Sequence, residues 1–189
     1  RRKVSLKREL DMEEVLYKTK ENSVKKGFLQ DVYREKKTLG VLLDDTSNNQ
    51  VAFDAIWGIN NFLPSPTEVL IFSQDWSRPV VTPPTALYHS YHMYGYTGDV
   101  VCFTPQSVDD CLRCGTVKKI LWHIYNPHEI NACFPEFIET LMANKKIIKV
   151  CRSENHKKLI KNLFPSATIE EETVPTFNVE QLLGIINGK

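Results

Sequence analysis

No apolar run in this chain approaches the roughly 20 residues needed to cross a bilayer as a helix, so a membrane-spanning helix is not expected. No G-x-G-x-x-G follows a predicted strand and no G-x-x-x-x-G-K-[ST] occurs, which leaves the dinucleotide fingerprint and the P-loop without support. The G-x-S-x-G elbow of serine hydrolases is missing too, as are repeats and low-complexity tracts. Nor is there an even set of cysteines. The five present (Cys102, Cys111, Cys114, Cys133 and Cys151) fall in or beside predicted strands and helices, which suits reduced thiols in a cytoplasmic protein with no disulfide. The opening Arg1-Arg2-Lys3 carries neither the apolar stretch of an export signal nor a Met, so residues preceding it, a removed signal among them, stay open.

What is present is an ordinary globular composition over 189 residues, 42% hydrophobic and 25% charged. That length fits one core and is short for two. The net charge of +1 hides an asymmetry: residues 1–38 hold 12 Lys/Arg against 7 Asp/Glu, the remainder 12 against 16. A +5 arm of this kind suits either a solvated basic helix or a contact with nucleic acid or an acidic protein. The expected division is therefore a basic helical segment, 1–37, ahead of an α/β domain, 38–189.

From Leu39 onward, short apolar runs alternate with amphipathic stretches, the pattern of βα units around a mainly parallel, doubly wound, Rossmann-like sheet. Strands are predicted at 39–43, 69–72, 100–103, 120–124 and 147–151, with a short one near Ile169. Helices are predicted after Thr46-Ser47-Asn48-Asn49, and over 105–113, 127–142, 154–163 and 179–186. Thr82-Pro83-Pro84 resembles a helix start, and Leu87, Tyr91 and Tyr94 recur at helical spacing, so 87–94 is read as helix, with a strand as the alternative that its aromatics also suit.

Ligands of such sheets gather where strands end and helices begin. Asp44 and Asp45 close the first strand, where a carboxylate serves as base or hydroxyl acceptor, or merely opens a turn. Asp75, Trp76 and Arg78 share the loop after the second strand and offer a carboxylate, an aromatic platform and a cation for a sugar or nucleotide, or form a surface turn. His89 and His92 sit three apart and, with Tyr88 and Tyr96, are candidates to line a ligand pocket, against the plainer reading of satisfied, half-buried histidines. The spacing is that of a metal pair, but no third ligand is evident and no metal is expected. His123, Tyr125, His128 and Glu129 cross from a strand into a helix start. There His123 or His128 is a candidate general base, with Glu129 orienting it, against the plainer reading of core aromatics and an Asn126 cap. Arg152 and Ser153 open a later helix, where they suit an anion or an ordinary N-cap. Cys111-Leu112-Arg113-Cys114 has redox spacing, but one such pair late in a helix reads as two plain thiols.

Four segments match a pattern: Ala86-Leu87-Tyr88-His89 through Gly98-Asp99-Val100-Val101; Lys118-Lys119-Ile120-Leu121-Trp122-His123-Ile124-Tyr125; Val150-Cys151-Arg152-Ser153-Glu154-Asn155-His156 with the helix it opens; and Thr176-Phe177-Asn178-Val179-Glu180-Gln181. The pattern resembles short glycosyltransferase-like proteins of bacteriophages, related to the N-terminal half of the GT-B fold. The resemblance implies transfer of a sugar from a nucleotide-sugar donor, with this domain on the acceptor side. A GT-B enzyme holds the donor mainly in a second domain, which has no counterpart here. The resemblance therefore points to a fragment, to assembly with a protein partner or second copy, or to a scaffold without catalysis. The other reading is a noncatalytic module that binds nucleic acid or protein through its basic arm. No cofactor beyond the donor is expected.

Overall fold

The computed structural model describes residues 38–46, 50–64, 67–75, 79 and 81–188. Contacts divide the chain into Arg1–Lys36 and Lys37–Lys189, and all described residues belong to the second unit. The predicted basic helical segment, Trp76, Arg78 and the cap residues Ser47 to Asn49 lie outside the described residues.

Six strands form one parallel sheet: β1 (Thr38–Leu43), β2 (Glu68–Ser73), β3 (Leu87–His89), β4 (Asp99–Cys102), β5 (Ile120–Ile124) and β6 (Ile147–Cys151). Their order is β3-β2-β1-β4-β5-β6. The helices are α1 (Gln50–Phe62), α2 (Pro105–Cys114), α3 (His128–Asn131), α4 (Pro135–Ala143), α5 (Glu154–Leu163) and α6 (Val179–Ile186).

Strand residues are apolar on both faces because both faces are covered. Leu39, Val41, Leu43, Val69, Ile71, Val101 and Val150 meet α1 and α6 on one side. Leu42, Phe72, Val100, Cys102, Trp122 and Cys151 meet α2, α4 and α5 on the other. Each such aliphatic side chain contributes about 1.5–3 kcal/mol by leaving water. The α1 face is closed by the chain entering α6: a Cβ on Gly58 would stand 2.0 Å from the Phe177 carbonyl oxygen, so only glycine fits. All five cysteines are free thiols.

Three local expectations are corrected. Residues 82–94 hold no α-helix: 87–89 pair with β2 as an edge strand, and Ser90–Gly95 form a 3-10 helix. The helical spacing of Tyr91 and Tyr94 does not mark a buried stripe, since both are exposed; Met93 and Tyr96 do the packing. The helix expected over 127–142 is split at 132–134. Pro135 lacks an N–H and drives Phe134 to an extended conformation (φ −62°, ψ 131°). No strand forms at Ile169. Instead the following segment shields the outer edge of β6 with two bonds, Glu170 N–H to the Lys149 carbonyl (2.9 Å) and Val174 N–H to that of Cys151 (3.0 Å).

Candidate functional site

In this strand order β1 and β4 are neighbours, yet the helices that follow them leave to opposite faces of the sheet. Their carboxyl ends therefore part, and a crevice opens between them. It has a volume of about 330 Å³. Its polar wall comes from Asp44 and Asp45 after β1, Thr104 and Gln106 after β4, and Glu129 of α3; Leu43, Ala52 and Phe103 supply apolar surface.

Local sequence positions these groups. Thr104 caps α2 with Ser107 in a reciprocal box, and Pro105 takes the first helical position, where its missing N–H costs nothing. The Ser107 hydroxyl donates to the Thr104 carbonyl (3.0 Å). That arrangement leaves the Thr104 hydroxyl to donate to Asp44 Oδ1 at 3.2 Å. Burial pushes the Asp44 carboxyl above its ordinary range, the Asp110 charge adds to this, and the Thr104 bond opposes it. Burial likewise raises Glu129, with the Asp44 charge as a second cause and a bond from Asn126 in opposition. Two carboxyls that each disfavour ionisation in one half-buried crevice can accept hydrogen bonds from hydroxyls, or take a proton. Among the described lining residues there is no Lys or Arg to hold a phosphate.

The tips of β5 and β6 are different. His123 is fully buried (0% exposed), and its Nε2 lies 2.9 Å from the Val174 carbonyl oxygen, a bond that needs the proton on Nε2. Burial, helped by the Arg152 charge, lowers its pKa to about 4 against the Val174 bond, so the ring is neutral at physiological pH. Nδ1 has no protein partner. The Tyr125 hydroxyl donates to Asp54 of α1, and the Arg152 guanidinium lies 4.2 Å above the Tyr125 ring while its Nε donates to the Pro175 carbonyl (2.9 Å). Residues 174–177 thus close over this end of the sheet.

Of the residues singled out in the sequence, Asp44 and Asp45 line the crevice. His128 is exposed at the start of α3, its N–H bonded to Asn126 Oδ1 (3.0 Å), next to Glu129 in the chain. Arg152 and His128 lie within electrostatic reach of His156 and, after burial, hold it below its usual range. Ser153 caps α5 by accepting from the His156 N–H (3.2 Å). Asp75 is exposed, its carbonyl accepting from Ser73 (2.9 Å). His89 ends β3, far along the strand order, and its Nδ1 accepts from the Tyr91 N–H (3.3 Å). Cys111 has its close sulfur neighbour not in Cys114 but in Cys102, 3.3 Å away.

Sequence reading missed Thr104, Gln106 and Cys133 as lining residues and gave Glu129 only a supporting part. The signal for Thr104 was available, a capping residue directly after a predicted strand. Among the described residues no three His, Cys, Asp or Glu side chains converge on a metal position, and no helix is long and apolar enough to cross a membrane. Set against protein-family profiles, curated proteins and solved structures, the chain matches none.

Proposed function

We propose that the crevice between β1 and β4 binds the glycosyl part of a nucleotide sugar and that the domain serves glycosyl transfer. The observation that carries this reading is the convergence of Asp44, Asp45, Thr104, Gln106 and Glu129 at the point where the strand order reverses. Carboxylates, an amide and a hydroxyl over an apolar floor match the hydroxyl edge and C–H face of a sugar ring. In the transfer step, a carboxylate of the crevice takes the proton of the acceptor hydroxyl. The acceptor oxygen bonds to the anomeric carbon, and the phosphate leaves with the electron pair of the broken C–O bond. The diphosphate would lie outside the acidic crevice, on the side of Arg152, whose guanidinium charge also depresses His123 and His156.

Cys133 borders the crevice and is half-buried, so its alkylation reports on occupancy. A panel of nucleotide sugars should include one that slows Cys133 alkylation and supports transfer or hydrolysis. The reading fails if the full chain shows neither with any member.

The +5 composition of residues 1–38 favours a second reading, contact with nucleic acid. Binding that weakens steeply with salt and disappears on deletion of 1–36 would support it.

A further inference from the structure

Four residues along α2 from Gln106, Asp110 borders a second cavity of about 190 Å³. Both oxygens of its carboxylate are held by amides, Oδ2 by Gln74 (2.8 Å) and Oδ1 by Gln106 (3.2 Å), so a fixed acceptor faces any ligand there. Leu42 and Met93 supply apolar surface, and Ser90 and Cys114 add polar edge. The remaining wall is Tyr91 and Tyr94, which are 59% and 65% exposed. Tyr91 does not move freely: its ring lies 4.0 Å from that of His92 and 5.1 Å from that of His89, and Tyr88 in turn contacts His92.

Two tyrosine rings left in water beside an apolar floor and a pre-oriented carboxylate make a surface with one flat apolar face and one hydrogen-bonding edge. A pyranose ring has the same division, C–H bonds on a face and hydroxyls around the rim. Charge separates this occupant from the other stacking ligand. Single-stranded nucleic acid needs a cationic groove along its aromatic platforms, whereas the charged group in the described lining is the acid Asp110.

We propose that this tyrosine-lined cavity is a binding site for an uncharged saccharide unit, distinct from the crevice. The proposal stands apart from the glycosyl-transfer reading, and one pair of thiols tells the two sites apart. Cys114 borders this cavity and Cys133 the crevice, each half-buried. The full chain is alkylated with N-ethylmaleimide in the presence of neutral oligosaccharides of glucose, galactose, mannose and N-acetylglucosamine, and each cysteine's rate is read by peptide mass spectrometry. At least one saccharide should slow Cys114 by about fivefold or more while Cys133 keeps its rate. Tyr91→Ala and Tyr94→Ala, at exposed positions that leave the core intact, should weaken that protection about tenfold, the scale of one lost stacking contact. Asp44→Asn should leave it unchanged. The proposal is overturned if no saccharide protects Cys114, if protection survives in the Tyr91→Ala/Tyr94→Ala double variant, or if oligothymidylate protects Cys114 and the saccharides do not.

Discussion

The carboxyl edge of this one sheet ends in two ways. Between β1 and β4 the strand tips part, and Asp44 and Glu129 stay half-buried with carboxyls raised by burial, the Asp110 charge adding to Asp44 and the Asp44 charge to Glu129. Over β5 and β6 the tips are sealed by residues 174–177, and the polar groups there are spent on the fold: His123 on the Val174 carbonyl, Arg152 on that of Pro175, Tyr125 on Asp54. Polar residues at equivalent strand ends thus stay open where backbone is absent and serve structure where backbone fills the gap. Buried polar groups cost about 1–3 kcal/mol when unsatisfied, so the sealed end pairs its polar groups apart from His123 Nδ1. The open end keeps capacity for a ligand.

The largest contrast should appear on removing crevice charge. Asp44→Asn and Glu129→Gln are expected to lower transfer rates about 100-fold or more for whichever carboxylate accepts the proton. Neither should lower the melting temperature, because each removes a charge that burial disfavours. A fall in melting temperature of several degrees with rates intact would make the crevice a structural feature and erase the contrast.

Next is the pH response of the sealed end. His123 has a folded pKa of about 4, below the ordinary 6.5, so the unfolded chain takes up the proton first as pH falls. Stability is therefore full above about pH 6.5 and is lost toward pH 4, by about 3 kcal/mol in all. The raised carboxyls of Asp44 and Glu129 act in the opposite sense, costing stability as pH rises through their range. Urea denaturation at stepped pH should show the His123 loss, and His123→Gln, which keeps a donor but does not titrate, should flatten it. An unchanged slope would show that His123 is not what the sealed end protects.

Arg152→Met should cost about 1–2 kcal/mol through the lost Pro175 bond and ring contact. It should also move the His156 pKa upward, since Arg152 is one cause of its depression; a proton NMR titration reads this directly. Tyr125→Phe should be smallest, about 1 kcal/mol for one hydrogen bond. A larger loss would mean that the link to α1 through Asp54 holds the sealed end together.

Several elements were legible because one local pattern dominates them. The predicted bounds of β5, β6, α5 and α6 coincide with those observed, each being a single apolar run or an amphipathic stretch with a capping residue such as Ser153. At 87–94 a spacing of three and four fits an α-helix and a surface 3-10 helix alike, and pairing of 87–89 with β2 decided between them. Across 127–142 the amphipathic pattern outweighed Pro135, although a proline is the stronger local signal. Asp44 and Asp45 were found by the strand-end rule alone. Thr104, joined to Asp44 across 60 residues of sequence, could be set beside it only once β1 and β4 were known to be neighbours.

By itself, then, the sequence determined that this part of the chain is a parallel sheet covered on both faces, because hydrophobic period and capping chemistry act between residues close in the chain. Which strands adjoin, and so which tips open into a crevice and which are sealed, was decided only by tertiary packing. That choice depends on contacts such as Gly58 against Phe177 and on the run of 174–177 across β5 and β6, whose energies exist only once distant segments have met.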